Sequence, residues 1–242
     1  MAAVAANPLA SMTLVQVLRQ GEGRAVEDGL VLESLAYATL QAGPEHARWL
    51  ARAAAPAAAS AATEPLLVER AGARLALVLN DPGRHNAFSA ALRDALAAAL
   101  AVAVADPTIT EIVLRGRGPS FCSGGDLAEF GTRADPATAH AIRSTRNVAR
   151  LLAACAPRLR AEVHGACVGA GVELPAFAAR VSARADAFFQ LPEVGMGLIP
   201  GAGGTVGIPR RIGRQRTAWL ALTGARLDAA TAHAWGLVDE VV

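Results

Sequence analysis

Beyond residue 63 the chain alternates strand-like and helix-like segments, which restricts it to an α/β architecture with helices covering a sheet. Arg74 to Leu79 (RLALVL) reads as a strand and NDPGRHN at 80–86 as a turn; Ser89 is placed to cap a helix running to about Ala105. Asp106-Pro107 ends that helix. Glu111 to Arg115 (EIVLR) is a second strand and runs into a Gly- and Ser-rich loop, GRGPSFCSGGD. A helix near 136–155 precedes another strand, Arg160 to His164, which enters GACVGAG and then a further helix.

The first quarter of the chain is organised differently. Residues 51–63, ARAAAPAAASAAT, are of low complexity and interrupted by Pro56, so they read as a linker. This divides the chain into an N-terminal helical extension with its Ala-rich linker, 1–63, and a core, 64–242. Within the extension, Leu30 to Arg52 reads as two amphipathic helices broken at Gly43-Pro44. Leu32, Leu35 and Leu40 are expected on the buried face of the first, with Trp49 anchoring the second.

Composition excludes several classes of function. The 242 residues carry a formal net charge of +2, all 23 basic residues are Arg, and no dense basic run occurs. With only 4% aromatic residues, stacking platforms are scarce as well, so nucleic acid is not an expected partner. Cys122, Cys155 and Cys167 form no CxxC pair, which suggests neither a disulfide framework nor a thiolate metal site and fits a reducing, cytoplasmic setting. The first basic residue is Arg19, so the N-terminus lacks a signal-peptide pattern, and no apolar run is long enough to predict a membrane span.

Two glycine-rich loops, Ser123-Gly124-Gly125-Asp126 and Gly165 to Gly171, each follow a strand and precede a helix. Helix N-termini present unpaired amide donors with partial positive charge, and small residues let a ligand reach them. Two such donors on one carbonyl oxygen make an oxyanion hole. Glu173 follows the second loop, and Glu193 lies 193 − 173 = 20 residues later, in LPEVGMG. A carboxyl group among apolar neighbours loses hydration and gains proton affinity, which suits acid and base work near neutral pH.

Other features read as structural. GAGGTVG at 201–207 lacks the spacing and preceding strand of a dinucleotide fingerprint. His164 reads as a hydrogen-bonding residue, Cys122 and Cys167 as small buried hydrophobes, and Arg210, Arg211 and Arg214 as a solvated face or subunit contact.

FCSGGDLAEF, HGACVGAGVELPAFA and FQLPEVGMGLIPGAGGT, in that order, resemble the crotonase, or enoyl-CoA hydratase/isomerase, superfamily over roughly residues 64–242. The resemblance implies a crotonase-like spiral of ββα repeats with helical cover, assembled as a homotrimer or homohexamer. It implies an acyl-CoA thioester substrate, CoA being part of that substrate, and neither a metal nor a redox cofactor. By motif, Gly125 and Ala170 would supply the oxyanion hole. Glu173 would activate water and Glu193 would move the proton at Cα, which favours hydration of 2-enoyl-CoA to 3-hydroxyacyl-CoA. A Δ3,Δ2-enoyl-CoA isomerase using Glu193 alone, or a non-catalytic acyl-CoA-binding member, are the alternatives. Main-chain atoms near Arg84 and His85 would contact CoA, and Asp126, Leu127 and Ala128 would flank the thioester.

The chain departs from the family pattern after GLVDEVV, where most members continue into further helices. ESLAYATLQAGPEHARWLAR in the extension resembles those helices, Ala-Gly-Pro break included. The extension is therefore expected to pack where they usually lie, in the manner of a circular permutation.

Overall fold

The computed structural model describes residues 2–53, 63–132 and 135–242; most of the expected linker, including Pro56, lies outside them. Four helices come first: α1 (Ala2–Ala6), α2 (Pro8–Gln20), α3 (Val26–Gln41) and α4 (Pro44–Arg52). Strands β1 (Leu66–Ala71) and β2 (Arg74–Leu79) precede α5 (Ala90–Ala105), and β3 (Glu111–Gly116) precedes α6 (Pro136–Thr145) and α7 (Val148–Cys155). Next come β4 (Leu159–Val163), β5 (Ala166–Val168), the single-turn α8 (Ala170–Glu173), β6 (Arg180–Ala183) and β7 (Phe188–Gln190). The chain then runs through α9 (Gly204–Thr223), β8 (Leu227–Asp228), α10 (Ala229–Trp235) and β9 (Glu240–Val241).

The six-stranded sheet has the order β1-β2-β3-β4-β6-β9; β1 and β2 pair antiparallel, and every later pair is parallel. A smaller sheet, β5-β7-β8, stands beside it. The central strands read as almost continuous apolar runs because both faces are covered: Leu77, Leu79, Ile112, Leu114 and Leu159 are fully buried. No described helix is long and apolar enough to cross a membrane.

β2 and α5 form over the residues expected, with Ser89 Oγ accepting from Leu92 N at 3.2 Å. The helix expected near 136–155 is two, because Asn147 leaves the helical conformation and caps a new start, its Oδ1 accepting from Arg150 N. The helix expected after GACVGAG lasts one turn. Pro175 lacks an N–H and so opens a separate 3₁₀ turn, where none is required.

The N-terminal helices are integral to the packing. Ala10, Leu14, Val17 and Leu18 of α2 join the same apolar core as the sheet, and α2 and α3 lie against α9, with α3 also against α6. The expected break at Gly43-Pro44 separates α3 from α4, and Trp49 packs edge-on against Phe130 with ring centroids 5.8 Å apart. Of the expected buried face of α3, Leu40 is buried and Leu32 packs against the core, but Leu35 is 50% exposed, and the helix also turns Leu30, Glu33, Ser34 and Ala38 inward. Polar residues hold that face because they have partners there, which hydrophobic periodicity cannot register.

Glu45 on α4 explains how α2 is held. Asn7 makes no side-chain cap, and the carboxylate of Glu45 instead accepts from Leu9 N at 2.8 Å and Ala10 N at 2.9 Å, two of the orphan donors of the first turn. Glu45→Ala leaves both amides without acceptors beside a buried core and is expected to cost about 2–3 kcal/mol. Urea unfolding checks this, and an unchanged midpoint would show that the cap contributes nothing.

Candidate active site

The parallel order β2-β3-β4 places the loops after β3 and β4 side by side at the carboxyl ends of these strands, where open α/β sheets collect ligand sites. The two glycine-rich loops hydrogen-bond directly to each other. Cys122 N donates to Ala166 O at 3.1 Å, Val168 N to Cys122 O at 3.0 Å, and Phe121 N to His164 O at 2.9 Å. Such close passage forbids side chains: a Cβ on Gly171 would lie 2.3 Å from Cys122 O. Asn86 braces the first loop, its Nδ2 donating to Arg117 O and Ser120 O at 2.9 Å while its Oδ1 accepts from Asp81 N.

These constraints turn Gly125 and Ala170 toward one cavity. Neither residue's backbone N–H donates to any acceptor among the described residues. Ala170 begins α8, so its amide is one of that helix's unpaired N-terminal donors.

Glu173 and Glu193 line the same cavity and are 3% and 9% exposed. Glu173 Oε2 accepts from Ala202 N at 2.7 Å and from Gly204 N at 2.9 Å, the loop that opens α9, while Oε1 takes no hydrogen bond among the described residues. Glu193 Oε2 is buried without a partner among them. Its Oε1 lies 2.6 Å from where a Cβ on Gly169 would stand, so only glycine, here with φ +51°, admits the carboxyl. Burial above all pushes Glu173 far up from the ordinary range, assisted by the negative charges of Glu193 and Glu33 and opposed by the two amides. Burial, and then Glu33, raise Glu193 to about 8.

Sequence reasoning missed Glu33, which lines this cavity from α3 and is 3% exposed. It gave GAGGTVG no role at the site, discounting it as a dinucleotide fingerprint and using it only within a family motif, whereas that segment supplies the amides that hold Glu173. Helix α6 brings Arg143 into the cavity, its guanidinium 4.5 Å from the Tyr37 ring centroid and bonded to Ser34 Oγ and Gln41 Oε1.

The expected CoA contacts are scattered. Arg84 is paired with Asp126 and lies 3.8 Å from Asp81, and His85 Nδ1 meets Ser120 Oγ at 2.9 Å. Their carbonyls accept from Ser123, through its Oγ and its N respectively, so both brace the first loop. Asp126 borders the cavity; Leu127, 53% exposed, and Ala128 stand outside its lining, as do Arg84 and His85. His164 Nε2 bonds Gly118 O, and Cys122 and Cys167 are buried, burial pushing the Cys122 thiol up to about 12. Arg211 and Arg210 bond backbone carbonyls, Arg211 also pairs with Asp239, and Arg214 pairs with Glu22. No group of described His, Cys, Asp and Glu side chains is arranged to hold a metal ion.

A raised carboxyl pKa has a stability consequence. The native state keeps on Glu193 a proton that the unfolded chain releases above its ordinary value of 4.5, so this contribution is full below that pH and is lost as pH rises through about 8. Glu173 and Glu33, also raised, act in the same sense. Thermal unfolding followed from about pH 5 to about pH 9 is expected to show falling stability, with a shallower fall in Glu193→Gln. A profile identical in the two proteins would contradict the burial of an ionisable Glu193.

The enoyl-CoA hydratase/isomerase family model matches residues 70–242. The chain is 37% identical over 176 residues to a 2,3-dehydroadipyl-CoA hydratase of Escherichia coli K12, covering 73% of this chain and 68% of that protein. It is 36% identical over 172 residues to a 1,2-epoxyphenylacetyl-CoA isomerase of the same organism, covering 69% and 66%. A crystal structure of an enoyl-CoA hydratase from Thermoplasma volcanium superposes with a TM-score of 0.66 at 34% identity, covering 74% of this chain and 72% of that one. The chain therefore spans about two thirds of the length of these relatives, and the fold is the crotonase fold expected from the motifs.

Proposed function

Because the chain belongs to the enoyl-CoA hydratase/isomerase family, we propose that it adds water across the double bond of a 2-enoyl-CoA thioester, with Glu173 and Glu193 as its acid–base pair. The observation that carries this reading is the unequal setting of the two carboxyls in one cavity: Glu173 is held by two amides through one oxygen, whereas Glu193 has a buried oxygen with no partner among the described residues. Two carboxyls this deeply buried do not both ionise near neutral pH. Of these two, Glu173 alone has amide donors for its anion, those of Ala202 and Gly204, so we assign the charge to Glu173 and the proton to Glu193 in the reacting complex, although burial and the neighbouring charges push Glu173 up as well.

In this scheme the thioester oxygen receives hydrogen bonds from Gly125 N–H and Ala170 N–H. Glu173 takes a proton from water as its oxygen bonds to Cβ; the π electrons move toward the thioester as an enolate held by the two amides; Glu193 then gives its proton to Cα. Net addition of H and OH is balanced, and the pair has exchanged which member carries the proton. The amides act because the developing oxyanion meets fixed donors in a water-poor site.

We further propose that the N-terminal helices stand where relatives carry C-terminal ones. The family match begins at residue 70, and α3, which precedes it, contributes Leu30, Glu33 and Tyr37 to the cavity wall.

Loss of the conjugated enoyl-thioester absorbance of crotonyl-CoA tests the main reading. Glu173→Gln and Glu193→Gln are each expected to lower hydration by about 10²–10⁴-fold, the usual worth of a positioned acid or base. If Glu173→Gln instead leaves proton exchange and double-bond migration on a 3-enoyl-CoA intact, the protein is an isomerase using Glu193 alone. Thioester binding without turnover of either substrate would make it a binding protein.

A further inference from the structure

The loop opening α9 distributes four consecutive backbone N–H groups between two carboxylates. Ala202 N and Gly204 N point to Glu173 Oε2. The intervening donors point the other way, Gly203 N to Glu33 Oε1 at 2.8 Å and Thr205 N to Glu33 Oε2 at 2.9 Å, and Thr205 Oγ1 adds a third bond to Glu33 Oε2 at 2.7 Å. We propose that Glu33, carried by the N-terminal extension, is a positioning residue for the reaction, holding this loop so that Glu173 is aimed. The proposal rests on the acid–base reading above.

Packing leaves the loop no alternative clamp. A Cβ on Gly203, whose φ is +101°, would lie 2.6 Å from Ala149 Cβ and 2.7 Å from Phe177 Cε2. One on Gly204 would lie 2.7 Å from both Glu173 Cγ and Glu173 Oε2. Residues 203 and 204 must therefore stay bare backbone, which can meet the two carboxylates only through its amides. Tilting those peptides to lose Glu33 rotates the donors of Glu173 with them, since alternate N–H groups share the same peptide chain. An error near 1 Å in the placement of a reacting group can cost about 10²-fold in rate.

Charge supplies the second link. Glu33 faces Arg143 from α6 and Tyr37 from its own helix, Glu173 at the end of α8, Glu193 beyond β7, and the donors of Gly203 and Thr205. The negative charge on Glu33 raises the proton affinity of both Glu173 and Glu193, and Arg143 partly offsets that charge. A neutral residue at 33 therefore makes both acids stronger.

Two measurements on the full chain decide the matter. The first needs no turnover: isotope-edited infrared titration of the glutamic acid C=O bands in wild type and Glu33→Gln. The Gln variant is expected to move the titration of the remaining buried carboxyls to lower pH; an unmoved titration overturns the proposal whatever the activity. The second is crotonyl-CoA hydration across pH. Glu33→Gln is expected to lower kcat by about 10- to 100-fold with KM changed less than about threefold, and to move the high-pH limb downward. If Glu33→Gln does not fold, Thr205→Val removes only the hydroxyl donor and is expected to lower kcat several-fold at unchanged KM. Unchanged kcat in whichever variant folds, with only the unfolding midpoint lowered, would make Glu33 a structural brace and overturn the proposal. A wild type that turns over neither crotonyl-CoA nor a 3-enoyl-CoA would count against the acid–base reading, while the infrared titration would still decide the role of Glu33.

Discussion

The architecture around the cavity depends on buried and half-buried carboxylates being held by backbone amides. Glu45 ties the start of α2 to α4, Glu129 accepts from Ala90 N at the start of α5, and Glu173 and Glu33 divide the start of α9 between them. Each case joins a negative group to the positive end of a helix dipole, where unpaired donors would otherwise have to be hydrated. Because the acceptor comes from a different element, each such bond also locks two elements together. The site is rigid for the same reason that the helices can begin where they do.

Against these satisfied carboxylates, the groups left unsatisfied stand out. Gly125 N–H, Ala170 N–H and the buried oxygen of Glu193 have no partners among the described residues, and all three residues border one cavity. A fold that satisfies its buried polar groups nearly everywhere leaves them unpaired chiefly where a substrate will supply the partner. The glycines at 169, 171, 203 and 204 are the steric condition for this arrangement, since each would place a Cβ within 2.7 Å of another atom.

Much of this was legible in the residues, and the boundary of legibility has physical causes. The strand RLALVL and the helix capped by Ser89 fall as expected because their signals are local: an apolar run between turns, and a hydroxyl before a helix-forming stretch. The face of α3 was read correctly at Leu32 and Leu40 but not at Leu35, because Glu33 and Ser34 are inside for their hydrogen bonds to α9 and α6, over a hundred residues away in the chain. GAGGTVG was recognised as glycine-rich, yet its use depends on which carboxylates meet it, and neither lies nearby in sequence. That the Arg84 guanidinium pairs with Asp126 and Asp81 could not be read locally either, since Asp126 lies on the first glycine-rich loop.

By itself the sequence determined the α/β class, the two glycine-rich loops and the presence of helices before the core, and it picked out Glu173 and Glu193 as candidates, because periodicity, turn residues and ordered motifs are properties of neighbouring residues. Only the tertiary structure decided that α3 walls the cavity, that Glu33 joins the two acids, and that the amides of residues 202 to 205 alternate between Glu33 and Glu173. Those outcomes turn on hydrogen bonds and charge between segments distant in the chain, whose strength depends on burial created by the fold as a whole.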